Sequence, residues 1–356
     1  MSYRILHLVT DLNLGGTPRM VETLLKRLDR RRFHVEAATL LAPSVITDSL
    51  RDAGIPVIVA NMQHKLDIWS LRPLWHRIRD GQFDIIHGWL FHANQVAKAM
   101  GTLAGVEHVL TSERGVETNK STTRVLMDRW GQRFMERLVV NAESIRDVQI
   151  RRERIDPKKM RVIPNGIDSD HFRNEPVPTS PPYRIVTIAR FDPVKGHEDL
   201  LEAVARVAAH RTDVSFSWVG DGPTRKDLES KARSRQLPIS FPGAVEDVRS
   251  HLLAAHLFVL PSLQEGMPGS ILEAMACGRG VVATRVGGVP QMVVDGETGR
   301  LVNPGQPESL ARILLECLES KTLESMGRAG RMRVQAKFSI EAFVRAHEEL
   351  YLSLLE

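Results

Sequence analysis

The chain has 356 residues, enough for two domains of ordinary size, and its 42% apolar and 26% charged residues are those of a folded globular protein, which excludes disordered and fibrous classes. A formal charge of +5 admits three anionic partners: nucleic acid, a membrane surface or a phosphorylated small molecule. Aromatic residues make up only 5% and do not interleave with the cations, so base stacking is not provided for and no nucleic-acid partner is expected.

The first apolar run, residues 3–9, predicts a strand that begins at once, without the basic region, apolar core and small-residue cleavage site of a secretion signal. After it comes the loop Thr10-Asp-Leu-Asn-Leu-Gly15-Gly16-Thr17-Pro18, then a helical pattern over 18–31. Further strands are predicted at 34–41, 56–60, 83–87, 107–111 and 137–141, with helices over 68–80 and 93–103 between them. Residues 174–182 carry four prolines, which remove donors and fix φ, and they read as a linker. The alternation then resumes: strands at 183–189, 214–219, 238–242, 256–261, 280–284 and 298–302, helices over 197–210 and 224–236, and a closing helix from 340.

Alternating strands and helices predict parallel sheets, and the linker divides them into two similar halves. The expected fold class is therefore α/β, with two Rossmann-like, doubly wound domains at 1–173 and 183–339, and residues 340–356 packing back on the first. The longest apolar stretches, such as 251–263, are too short and too interrupted to cross a bilayer. Cys277 and Cys317 both lie in apolar helical patterns, which suits a reducing compartment and offers no disulfide or metal framework. A cytoplasmic location is expected. Basic residues concentrate at 26–32 and 151–161; both runs fall at helix ends, where cations are favoured and solvated, and both also suit contact with anionic lipid at the inner face of a membrane.

Ligands of open α/β sheets sit at the carboxyl ends of strands, so the strand-to-helix loops carry the chemistry. Gly15 and Gly16 allow a backbone to approach a phosphate, with Thr17 as cap and Pro18 opening the helix, or they make a tight turn and nothing more. The full Gly-x-Gly-x-x-Gly pattern is missing, and no acid ends a strand twenty positions on, which disfavours a nicotinamide enzyme. In Arg190-Phe-Asp-Pro-Val-Lys195-Gly196 two cations leave a strand end five residues apart, suited to a diphosphate or to a surface pair with Asp192. Gly220-Asp221-Gly222-Pro223 ends the next strand in a small-residue turn.

The segment Pro261-Ser262-Leu-Gln-Glu265-Gly266-Met267-Pro268-Gly269-Ser270-Ile271-Leu-Glu273 is the most informative. A helix is predicted from near Pro268 to near Cys277, with Gly278 ending it, so the amides of Gly269, Ser270 and Ile271 form an anion site at its positive end. Glu265 and Glu273 flank that site. Carboxylates beside a bound diphosphate need hydroxyl donors, which sugars and riboses supply.

These residues carry a resemblance. Glu265 to Glu273 matches the Glu-x7-Glu motif of retaining GT-B glycosyltransferases, and the chain resembles glycosyltransferase family 4 over nearly its whole length. Gly15-Gly16, Pro164-Asn165-Gly166-Ile167-Asp168, the Arg190/Lys195 loop, Gly220-Asp221-Gly222-Pro223, and Val281 to Thr284 followed by Gly287-Gly288 stand in the family's order. The resemblance implies a GT-B fold and a nucleotide-sugar donor, bound with the help of Gly16, Met267 and the 269–271 amides. It implies that Arg190 and Lys195 neutralise the leaving diphosphate, that Glu265 holds the sugar and that Glu273 holds the ribose. No metal or other cofactor is then required. The acceptor would be a glycan, a lipid-linked sugar or a small molecule.

Three departures stand out. Glu113 and Arg114 occupy the place of a histidine that many members carry near the sugar, leaving His92 as a further candidate for sugar or acceptor contact or as a packed histidine. Gly280 replaces a proline, and Gln291 a glutamate. Asp168-Ser169-Asp170 has the form of a metal-binding Asp-x-Asp but lies in a turn. Two other classes stay open: a sugar-nucleotide epimerase on the same plan, and a basic protein that binds membrane or nucleic-acid surfaces.

Overall fold

The computed structural model describes residues 2–13, 15–64, 67–115, 120–320 and 322–356. It has two compact units, one of Met1–Asn165 with Glu341–Glu356 and one of Gly166–Ile340.

Among the described residues the first unit holds a sheet of seven strands, β1 (Tyr3–Val9), β2 (Phe33–Thr39), β3 (Val57–Val59), β4 (Ile85–Trp89), β5 (His108–Glu113), β6 (Arg137–Val140) and β7 (Met160–Val162). Their order is β3-β2-β1-β4-β5-β6-β7 and every pairing is parallel. β1 lies inside the sheet between β2 and β4, with Ile5 opposite Ile85 and Val9 opposite Trp89. Residues 5–9 are all buried, as a strand covered on both faces requires, so its apolar run does not alternate. The helix Gly16–Arg27 follows β1, burying Val21, Leu24 and Leu25 and placing Lys26 and Arg27 in its last turn, against the negative end of its dipole. β7 is the one strand the sequence reading lacks. It is a three-residue edge strand whose apolar residues, Met160 and Val162, flank the exposed Arg161, too short a run to stand out from the basic stretch around it.

The second unit repeats the plan with β8 (Tyr183–Ile188), β9 (Val214–Val219), β10 (Ile239–Gly243), β11 (Leu257–Leu260), β12 (Gly280–Thr284) and β13 (Gly299–Val302), in the order β10-β9-β8-β11-β12-β13. Alternate residues of β11 feed opposite faces: Leu257 and Val259 pack with Trp218, Leu200 and Leu314, while Phe258 and Leu260 pack with Ile271, Met275 and Val281. The α/β class and the two doubly wound parallel sheets are as predicted.

The division between the units falls at Asn165/Gly166, earlier than the expected 173. The proline-rich stretch 174–182 forms no helix or strand and belongs to the second unit. Arginines of the second unit hold the backbone in and just before this stretch, taking it as acceptor. Arg279 donates to the Glu175 carbonyl at 2.8 Å, and Arg331 to the Phe172 carbonyl at 2.9 Å.

Residues from Glu341 onward, in the helix Ile340–Leu355, belong with the first unit. Tyr351 and His347 are fully buried there, and the Tyr351 hydroxyl lies 2.9 Å from His87 Nδ1. No described helix is long and apolar enough to cross a membrane.

Candidate active site

In a doubly wound sheet a crevice opens at the carboxyl ends of the two strands where the order reverses. In the second unit these strands are β8 and β11, and the loops that leave them hold the predicted cations and acids. Lys195 Nζ donates to Glu265 Oε1 at 2.7 Å. Glu265 is only 8% exposed and also accepts from Ser262 Oγ at 2.6 Å, so its buried charge is met by an ammonium and a hydroxyl. Ser262, two residues past the end of β11, is a partner the sequence reading assigns no role; its proximity to Glu265 in the chain is the available signal.

Arg190 stands apart from this pair. Its side chain is 72% exposed and its guanidinium donates to Asp192 at 2.6 Å, the surface pair weighed as the alternative. Asp192 also accepts from the Val194 amide at 3.4 Å and caps the turn Pro193–Lys195 that presents Lys195. The two cations therefore share a loop but rest on different carboxylates. Behind them His197 stacks on Phe191 at 4.4 Å, and burial, with Lys195 nearby, lowers its pKa to about 4, so it is neutral.

The turn 220–222 packs on the same loop from the other side. A Cβ at Gly220 would lie 2.0 Å from the Ala189 carbonyl oxygen, and one at Gly222 would lie 2.4 Å from that of Phe191. Close backbone packing thus accounts for both glycines. Asp221 turns its carboxylate onto its own loop, accepting from the Gly222 amide at 2.7 Å. Gly287 supports the Glu265 loop in a similar way, with φ +53° and the place of a Cβ only 1.9 Å from the Glu265 carbonyl oxygen.

The helix Gly269–Ala276 begins one residue later than predicted. Pro268 is its cap, in extended backbone, and contributes no side-chain acceptor; the first turn contains no acid. Glu273 reaches back to the helix start, where its Oε1 lies 3.9 Å from the position of a Gly269 Cβ. Glu273 thus lies at the positive end of this helix, a place that favours negative charge, and Glu265 stands in the loop that leads to it. Met267 and Ile271 are core residues, 4% and 0% exposed, so they offer main-chain groups alone, while Gly269 and Ser270 are half-buried. Gly278, with φ +70°, ends the helix as expected.

In the first unit Gly15, not Thr17, caps the helix Gly16–Arg27, and both glycines are exposed. A Cβ at Gly16 would meet no atom within 4 Å, so packing does not demand this glycine. The acid twenty positions on is Glu36, in the middle of β2, buried and held by Arg77 Nε at 2.9 Å and Arg4 at 3.3 Å. It is a structural acid.

Arg114 is 8% exposed, lies over the Trp89 ring at 4.6 Å and donates to Asn165 Oδ1 at 3.1 Å. Burial lowers its pKa to about 9. Glu113 accepts from Asn94 Nδ2 at 3.2 Å, and His92 lies in the first turn of the helix Phe91–Ala104, edge-on to Phe91. The three residues expected near sugar or acceptor therefore lead into three different environments. Asp168 accepts from the amides of Asp170 and His171, both at 3.0 Å, which makes Asp168-Ser169-Asp170 a turn.

Residues 14–171 match the family Glycosyltransferase Family 4, and residues 182–320 match Glycosyl transferases group 1. An MMP alpha-(1->4)-mannosyltransferase of Mycolicibacterium hassiacum is 33% identical over 289 residues, which are 73% of this chain and 68% of that one. The chain belongs to glycosyltransferase family 4. This glycosyltransferase is also 26% identical to the UDP-Gal:alpha-D-GlcNAc-diphosphoundecaprenol alpha-1,3-galactosyltransferase of Escherichia coli, over 87% of its own length and 86% of the relative's. HepE of Anabaena, solved with UDP and glucose, superposes with a TM-score of 0.86 at 22% identity and covers 99% of this chain and 100% of that one. The fold of the glycosyltransferase is thus that of the GT-B enzymes.

Proposed function

We propose that this enzyme transfers a sugar, with retention and without a metal, from a UDP- or GDP-sugar to a glycan, lipid-linked or small-molecule acceptor in cell-surface polysaccharide or glycoconjugate synthesis. The observation that carries the reading is the pairing of Lys195 with Glu265 beside the start of the helix Gly269–Ala276. A diphosphate arriving at that helix competes with Glu265 for the Lys195 ammonium. As Lys195 turns to the phosphate, the Glu265 oxygen it leaves accepts from the sugar hydroxyls instead.

The bond from the anomeric carbon to the diphosphate oxygen then breaks, the acceptor oxygen bonds to that carbon on the same face, and its proton passes to the departing phosphate. Lys195, Arg190 released from Asp192, and the helix amides take up the charge that develops on the leaving group. Glu273 holds the ribose, and the open backbone at Gly16 is kept for a phosphate. The solved complexes of HepE with UDP and with UDP-glucose support the donor class. We further propose that the acceptor is met at an anionic membrane surface, which gives the charge of +5 a use.

A panel of UDP-, GDP- and ADP-sugars tested for thermal stabilisation, followed by product analysis, tests the reading. Stabilisation by one of them, with sugar transferred in a chelator, is the expected result. Activity that vanishes with chelator and returns with manganese would overturn the metal-free mechanism. Nucleotide release without transferred sugar would point to an epimerase or hydrolase.

A further inference from the structure

The two basic runs part company once their partners are seen. In the first, Lys26 pairs with Glu22 at 2.8 Å, Arg27 with Glu341 at 3.9 Å and Arg32 with Glu356 at 3.7 Å. Three of its five cations thus meet an acid within the fold. The second run adjoins the helix Thr122–Gly131 and the following turn Gln132–Phe134. Gln132 links them, donating to the Arg154 carbonyl at 3.2 Å and accepting from the Asp156 amide at 3.0 Å.

That helix is turned inside out. Its one buried residue is Asp128, whose carboxylate accepts from Lys120, from Lys98 at 3.3 Å and from Gln95 at 2.6 Å. Its larger apolar residues face water, with Leu126 52% exposed, Met127 44% and Trp130 65%, and so does Phe134 of the following turn, at 41%. Leu126, Trp130 and Phe134 recur at four-residue spacing and so follow one face. An ordinary surface helix buries that face, and an apolar patch left outside marks an interaction surface.

Charge around the patch is sorted in the same sense. Arg129, Arg133, Arg151, Arg154 and Lys158 are exposed, whereas the acids Asp128 and Glu153 are buried and both pair with Lys120. Asp156 is exposed but caps the turn Pro157–Lys159. The Arg133 guanidinium lies over the Trp130 ring at 3.5 Å. An exposed tryptophan with a cation stacked on it, on a segment that also carries Arg129 and is tied to Arg154 through Gln132, suits a head-group layer, where the ring sits among acyl and glycerol groups and the cation meets phosphate.

Resting on the membrane contact proposed above, we infer that the segment 122–134 is the surface that makes it. Leu126, Met127, Trp130 and Phe134 enter the boundary between head groups and acyl chains of an anionic bilayer, and the surrounding arginines bind lipid phosphates. Vesicle flotation tests this. The full chain is expected to float with phosphatidylglycerol–phosphatidylcholine vesicles, far less with pure phosphatidylcholine, and less as salt is raised.

A Leu126→Ser/Trp130→Ser variant should lose flotation at least tenfold, and an Arg129→Glu/Arg133→Glu variant should lose the preference for anionic vesicles. Both should keep the thermal transition and the nucleotide-sugar stabilisation of the parent. Flotation equal to the parent's in both variants would overturn the inference, as would a concentration-dependent dimer that the serine variant abolishes. Failure here with nucleotide-sugar stabilisation intact removes the membrane surface alone; failure of every nucleotide sugar with flotation intact removes the donor reading alone.

Discussion

Lys195 and Glu265 lie 70 residues apart in the chain and 2.7 Å apart in the fold, joined because their loops leave adjacent strands of one parallel sheet. Neither charge is idle without a ligand. If the donor works by exchanging partners in this pair, Lys195→Ala should lower kcat by about a hundredfold while changing the Kd of the free nucleoside little, in line with losing one stabilising donor at a developing charge. Steady-state kinetics and calorimetry on the same variant check this, and equal losses in both would remove Lys195 from the chemical step.

Glu273 makes a different prediction, because it is proposed to hold the ribose and not the sugar. Glu273→Ala should weaken nucleoside-diphosphate binding about tenfold, roughly the worth of one hydrogen bond to a charged group. Titration calorimetry with UDP or GDP reads it directly.

Gly16 and Gly287 should behave in opposite ways when changed to alanine. At Gly16 a Cβ meets nothing within 4 Å, so the fold should keep or slightly gain stability while nucleotide-sugar affinity falls. At Gly287 a Cβ would meet the Glu265 carbonyl oxygen at 1.9 Å in a backbone of φ +53°. We expect a loss of about 2 kcal/mol or more there, with turnover falling as Glu265 is displaced. Thermal unfolding beside donor binding separates the two cases.

The first unit should weaken in mild acid. Burial lowers the pKa of His7 and His347 to about 3, and that of His87 well below its ordinary value, so all three are neutral in the fold. In the unfolded chain they titrate near about 6.5. Their contribution is therefore complete above that pH and is lost as pH falls toward the folded values. Each histidine adds a slope of about 1.4 kcal/mol per pH unit in that window. Denaturant midpoints at neutral and mildly acid pH check this, and a flat profile would contradict it.

Apolar periodicity made both sheets and their strand-to-helix loops legible, because a parallel sheet buries its strands on both faces and leaves chemistry to the strand ends. It could not show β7, whose two apolar residues are lost in a basic run. Nor could it show that Arg114 is stacked on Trp89 inside the first unit, because an arginine in a sequence reads as solvated. The Glu265 and Glu273 loop was legible through Pro268 and Gly278, which fix where its helix starts and stops. The partner of Lys195 was not, since Glu265 lies 70 residues away in the chain, whereas Asp192, the partner of Arg190, stands two residues from it. Nor could periodicity show the inside-out helix Thr122–Gly131, because its spacing is that of an ordinary amphipathic helix and only the fold shows which side faces water.

The helix Ile340–Leu355 brings Tyr351 and His347 into the interior of a unit whose other strands and helices are all translated before Gly166. During synthesis the first unit must wait, its histidine cluster uncovered, until the whole second unit has emerged. Shortening the protein from that helix should therefore cripple the half made first and spare the half made last.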